Sequence, residues 1–123
     1  MRILIIDDDQ PWALSTARHL DMHDHEVAYA PDAIAAISSA LAEKPHLILL
    51  DMRLPAGHGT LVLGRLRLLS ATAFTPIIII TGGVLTDQQV QECDGHGVHD
   101  VMYKPVTRDA LLAAVHTAVP YGV

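Results

Sequence analysis

Three short apolar runs, Ile3-Leu4-Ile5-Ile6, Leu47-Ile48-Leu49-Leu50 and Ile77-Ile78-Ile79-Ile80, restrict the folds open to this chain more than any other feature. None of them alternates with polar residues. A strand with one wet face alternates, whereas a strand covered on both faces need not, and that is the situation inside a parallel sheet. All three runs are far too short to span a bilayer. Two weaker strand candidates, Glu26–Ala30 and Asp100–Tyr103, carry a charge and mix polar with apolar side chains, as exposed edge strands do.

Helical stretches separate the strands. Pro11 to about Met22 starts with proline at a first helical position, with Asp9 and Gln10 placed to cap it. Asp32 to about Ala42 is rich in alanine and apolar at Ile34, Ile37 and Leu41, the three-to-four spacing of one helix face. Gly59 to about Leu69, a short polar segment from Asp87 to Cys93, and Arg108 to Val119 behind an N-cap at Thr107 complete the set. Strand followed by helix, five times over, predicts an α/β fold with helices on both faces of one parallel sheet. Three covered strands and two edge strands favour the order 2-1-3-4-5. A chain of 123 residues fits a single domain, expected to span residues 1–123.

Composition excludes several functions. The formal net charge of −6 and the lack of a Lys/Arg cluster speak against direct nucleic-acid binding. Cys93 is the only cysteine, which rules out an intrachain disulfide and points to a reducing compartment. The first apolar run ends in three aspartates, so it is no signal peptide and a cytoplasmic location is expected, without membrane attachment.

In such a sheet, ligands bind beyond the carboxyl ends of the strands, where the strand order reverses. The first strand ends in Asp7, Asp8 and Asp9, the third in Asp51, the fourth in Thr81 followed by Gly82 and Gly83, and the fifth in Lys104 followed by Pro105. Carboxylates gathered at one rim repel each other unless a cation joins them. Magnesium suits one or two carboxylates, a backbone carbonyl and several waters. Lys104 adds a compact positive charge and Thr81 a hydroxyl donor, and the two glycines keep the approach uncrowded. In that company Asp51 is a candidate nucleophile toward a phosphoryl group.

The segments IDD, LLDMRLP, IIIITGG and YKP, in this order and covering the whole chain, resemble the response regulator receiver family. The resemblance implies the receiver, or flavodoxin-like, fold and a phosphoacceptor switch in two-component or phosphorelay signal transduction. It implies that Asp51 takes the phosphoryl group and that Asp7, Asp8, Asp51 and the backbone carbonyl of Arg53 hold magnesium. Thr81 and Lys104 would contact the phosphoryl group, and the Lys104–Pro105 bond would be cis. The implied donor is a phosphohistidine on a sensor histidine kinase or phosphotransfer protein. The implied recipient of the signal is a downstream protein or a covalently linked output domain, reached through the Asp87–Cys93 helix and the final strand and helix. The domain would catalyse its own phosphorylation and dephosphorylation without being a turnover enzyme.

Some positions depart from the family pattern. Val101 stands where the family places its switch aromatic, and the aromatic is Tyr103 instead. His58 replaces the common loop acid, and Gly83 offers no side chain to orient an attacking water, so slow self-dephosphorylation is expected. Val101 favours an alternative, a phosphorylation-independent interaction module of the same fold. A flavin or nucleotide enzyme is disfavoured, since three aspartates would repel a phosphate after the first strand. The pairs His19/His23 and His96/His99 have metal-ligand spacing but no further ligand cluster, and they read as surface polar residues. Trp12, in the first turn of the first helix, is expected near the acidic pocket as a packing residue and optical reporter.

Overall fold

The three apolar runs form the centre of a five-stranded sheet in the computed structural model, which describes residues 1–120. The last three positions of the expected 1–123 domain lie outside the described residues. The strands are β1 (Arg2–Ile6), β2 (Glu26–Ala30), β3 (Leu47–Leu50), β4 (Ile77–Thr81) and β5 (Asp100–Tyr103). They pair in parallel in the order β2-β1-β3-β4-β5, the order expected from their chemistry. Ile3 pairs with Leu47 and Ile48 with Ile77, so the apolar runs lie side by side.

Alternate residues of these strands feed two cores. Leu4, Ile6, Ile48, Leu50, Ile77 and Ile79 pack with α2 (Ala33–Glu43), α3 (His58–Leu68) and Cys93 of α4 (Asp87–Gly95). Ile3, Ile5, Leu47, Leu49, Ile78 and Ile80 pack with α1 (Gln10–Asp21) and α5 (Arg108–Ala118). Burial on both faces is the reason the runs show no alternation. Each fully buried Leu or Ile contributes roughly 1.5–3 kcal/mol of transfer free energy, so the sheet interior carries most of the fold's stability.

Helix boundaries follow their capping residues. Asp9 accepts a hydrogen bond from the Trp12 amide at 3.2 Å, and Asp32 one from the Ala35 amide at 2.8 Å. Thr86 and Gln89 cap each other reciprocally at the start of α4, and Thr107 accepts from the Ala110 amide at 3.1 Å. Such caps contribute about 1 kcal/mol each. The helix starting at α1 begins one residue before Pro11, and α4 runs two residues past Cys93 to Gly95. The guanidinium of Arg67 gathers the carbonyls of His96, Thr72 and Thr75, which ties the ends of α3 and α4 to the approach to β4. Among the described residues no helix is long and apolar enough to cross a membrane.

Between β3 and α3 the chain makes a 3-10 turn, Pro55–Gly57, and then lays the first turn of α3 against the backbone of Met52. A Cβ on Gly59 would stand 2.4 Å from the Met52 carbonyl oxygen, and backbone cannot give way as a side-chain tip can. Gly59→Ala is therefore expected to destabilise the fold by at least about 2 kcal/mol. Denaturant unfolding checks this, and an unchanged midpoint would contradict the packing described.

Candidate functional site

Parallel strands end at a common rim, and four of them deliver their polar residues there. Asp7 directly follows β1, Asp51 follows β3, Thr81 ends β4 and Lys104 follows β5. The sheet ladder extends into this rim, with the Asp51 amide bonded to the Ile6 carbonyl at 2.9 Å and the Lys104 amide to the Thr81 carbonyl at 2.9 Å. The side chains are thus mounted on strand ends, not on free loops. The Lys104–Pro105 peptide is cis, as the resemblance implies.

Lys104 is the hub of the pocket. Its Nζ lies 2.7 Å from Asp7 Oδ2, 3.6 Å from Asp51 Oδ2 and 4.0 Å from Asp9 Oδ2. It also sits 4.5 Å over the centre of the Trp12 ring, a cation–π arrangement. Asp7 and Asp51 are buried, with 1% and 5% of their surfaces exposed, while Asp8 is exposed at the mouth. Asp7 Oδ1 accepts from the Asp9 amide at 2.8 Å. Asp51 Oδ1 accepts both the Thr81 hydroxyl at 2.7 Å and the Arg53 amide at 2.8 Å, so its orientation is fixed and its second oxygen faces the lysine. Carboxylate oxygens of Asp7, Asp8 and Asp51 lie within 4.8 Å of one another. Among the described residues this is the one group of three or more side chains that could hold a metal ion.

The rim holds too little positive charge. Burial, helped by the Asp51 charge, raises the carboxyl of Asp7 above its ordinary range in spite of the hydrogen bonds from Lys104 and the Asp9 amide. For Lys104, burial opposes the charge, but the hydrogen bond to Asp7 and the neighbouring carboxylates outweigh it and hold the ammonium above its usual value. The donors left to the pocket are therefore hard oxygens, suited to a hard divalent cation.

Every site residue expected from the sequence except one reaches this pocket by its side chain. The exception is Arg53, expected to act through its backbone carbonyl; its amide bonds Asp51, and its guanidinium turns away to the Gly82 carbonyl at 3.1 Å. That side-chain contact has no signature in the motif spacing. The expectation of an uncrowded approach holds at Gly82, where an added Cβ would meet nothing within 4 Å. It fails at Gly83, because the Arg53 guanidinium fills the space beside it. Trp12 does more than pack, since its ring carries the lysine.

The histidines divide differently from the surface reading. His19 is buried, because it falls on the inward row of α1 with Ala13, Thr16 and Leu20. It meets His23 ring against ring, 4.8 Å between centroids. His96 pairs with Glu92 and His99 with Thr117. Neither histidine pair belongs to a metal-capable group among the described residues.

The raised carboxyl of Asp7 has a consequence for stability. A folded-state value above the unfolded one means that the folded chain holds more protons in that window. The penalty from Asp7 is then greatest at neutral pH and fades as pH falls below the carboxylate range. Asp7→Asn is expected to stabilise the metal-free protein at neutral pH, with the gain shrinking on acidification. Thermal unfolding in a chelator at two pH values tests this; destabilisation at neutral pH would show that the Lys104 ion pair outweighs the crowding.

Known proteins share this arrangement's sequence and fold. The chain is 35% identical over 93% of its length to the DNA-binding dual master transcriptional regulator RpaA of Synechocystis, of which it covers 47%. It is 31% identical over 92% of its length to the response regulator MprA of Mycobacterium avium, covering 48% of that protein. The chain thus spans about half the length of these two curated relatives. Protein PilH of Pseudomonas aeruginosa, 29% identical, is matched over 97% of its own length and 96% of this chain. Among solved structures, the CheY-like response regulator receiver domain protein of Methanospirillum hungatei superposes with a TM-score of 0.89 at 28% identity, covering 98% of this chain and 94% of that one. The BeF3-activated N-terminal receiver domain of RstA from Klebsiella pneumoniae gives 0.83 at 27% identity, covering 97% and 98%. The response regulator receiver domain model matches residues 3–116, and the chain belongs to that family of two-component signalling domains.

Proposed function

We propose that the chain is a magnesium-dependent phosphorylation switch whose acceptor is Asp51. The observation that supports this most is the convergence of the Asp7, Asp8 and Asp51 carboxylates within 4.8 Å, with the Lys104 ammonium 3.6 Å from Asp51 Oδ2. The donor set fits magnesium: hard oxygens, in a pocket where one ammonium faces several carboxylates and Asp7 is held above its usual range. Asp7, Asp8, Asp51 and the Arg53 carbonyl are the residues that would hold it. When bound, the ion neutralises the acids and shields the charge on phosphoryl oxygens.

The chain's own residues supply the positioning. Thr81 and the Arg53 amide hold Asp51 Oδ1, which leaves Oδ2 as the attacking oxygen. Oδ2 attacks the phosphorus of a phosphohistidine on a sensor histidine kinase or phosphotransfer protein. The N–P bond breaks, and the imidazole nitrogen departs with the electron pair. Lys104, 3.6 Å from Oδ2, balances charge on the transferred group, and the Thr81 hydroxyl, now on Oδ1, would turn to it once the group is in place. The group stays on Asp51 until water removes it, so the domain is a switch and not a turnover enzyme. Removal is expected to be slow, because Gly83 has no side chain to orient water. The output is a downstream protein or a linked domain that reads the altered surface.

Val101 favours a second reading, a phosphorylation-independent interaction module. It is half-buried against the α2–α4 core, while Tyr103, on the same side of the strand by alternation, is half exposed. The two readings part in a simple experiment. Incubation with acetyl phosphate and magnesium is expected to add the mass of one phosphoryl group, seen by intact mass spectrometry and absent in Asp51→Asn. No added mass in the unaltered protein would leave the interaction module standing. Because Lys104 rests on Trp12, magnesium and then beryllium fluoride should each change Trp12 fluorescence, the second step vanishing in Asp51→Asn. A spectrum indifferent to both additions would count against the switch.

A further inference from the structure

The side chain of Arg53 is anchored in a way the phosphorylation chemistry above does not use. Its amide donates to Asp51 Oδ1, so its backbone is fixed against the acceptor carboxylate. Its guanidinium reaches across to the β4–α4 connection, where Nη1 donates to the Gly82 carbonyl at 3.1 Å. The same Nη1 covers Gly83, whose φ of +74° belongs to the left-handed region, and a Cβ there would stand 2.0 Å from it. Arg53 and Gly83 are therefore a fitted pair.

The connection they clamp has little else to hold it. Val84 is 88% exposed, and Leu85 is the one side chain from this stretch that enters the core. Thr86 then caps α4. Gly82 and Gly83 thus lie within four residues of the cap of that helix.

A guanidinium on a single neutral carbonyl makes a modest bond. A phosphoryl group on Asp51 would offer charged oxygens to the same flexible side chain, and a guanidinium meets such oxygens in forked contacts between opposite charges, which a single neutral carbonyl cannot match. We propose that Arg53 is a parked phosphoryl-binding cation: it clamps the β4–α4 loop at Gly82 in the unmodified protein and moves to the phosphoryl oxygens when Asp51 is modified, releasing the loop and the start of α4. This gives the chain a route from the pocket to α4 that needs no aromatic at Val101. It rests on the phosphoacceptor reading.

Hydrogen exchange of the Thr86, Gln89 and Val90 amides, which are bonded where the loop enters α4, tests it, with magnesium and beryllium fluoride standing in for the phosphoryl group. In the unaltered chain, exchange should speed up by about 10-fold on adding beryllium fluoride, the worth of one charged hydrogen bond. Arg53→Met should exchange fast already, with no further response, and Arg53→Lys should fall between. A merely structural arginine would raise the basal rate in Arg53→Met but leave the beryllium fluoride response intact, and that result overturns the inference. Mass spectrometry on the same samples with acetyl phosphate separates the two failures. A chain that takes a phosphoryl group without any change in this exchange refutes the parked cation alone. A chain that takes none refutes both.

Discussion

The ion pair between Asp7 and Lys104, 2.7 Å long and closed across 97 residues of sequence, is the contact around which the rim is organised. It exists because every strand of the sheet points the same way. An antiparallel β5 would have carried the lysine to the opposite end of the molecule. Asp7 is buried and Lys104 largely so, and removing the lysine is the costly change, several kcal/mol in comparable pairs, because it strands the buried carboxylate. One ammonium is nevertheless shared among Asp7, Asp9 and Asp51. The pocket is thus held together by its lysine and still short of positive charge, the condition in which a divalent cation is welcome.

This crowding is tolerable because the fold does not depend on the rim. Stability comes from the two apolar layers on either side of β1, β3 and β4, which are sealed by alanine-rich α2 and the inward faces of the other helices. A well-packed scaffold can carry a locally unfavourable cluster of charge, and such clusters are where function concentrates. The pocket is also joined to its surroundings at several points: Asp9 caps α1, Trp12 underlies Lys104, and Arg53 grips the β4–α4 loop. The surroundings of Asp51 are therefore in direct contact with α1 and with the loop that leads into α4. The receiver family to which the chain belongs matches 3–116, nearly the full described length, so this wiring lies within the shared domain.

The fold could be read from the residues because its rule is simple. Unalternated runs such as Ile77–Ile80 admit burial on both faces, and the charged ends of Glu26–Ala30 and Asp100–Tyr103 mark the sheet's edges. Those two facts favour the observed strand order and, with all strands parallel, place Asp7, Asp51, Thr81 and Lys104 at one rim. What spacing could not convey was the direction of long, flexible side chains. Arg53 has enough rotatable bonds to reach the pocket or the loop, and in the structure it lies over Gly83 and donates to the Gly82 carbonyl. His19 looked like surface polarity in a histidine-rich stretch, but helical phase turns it inward beside Leu20. The Thr81 hydroxyl, expected as a contact for an incoming phosphoryl group, already bonds the acceptor carboxylate, a matter of rotamer that no motif records.

A titration with manganese, a paramagnetic stand-in for magnesium, followed by amide NMR probes the charge-deficient rim directly. Binding at the converged carboxylates should broaden the amides of Asp7 to Asp9, Asp51 to Arg53 and Lys104 first, and Asp8→Asn should weaken the effect. Broadening that starts elsewhere on the surface, or none at stoichiometric metal, would contradict a cation site built from these strand ends.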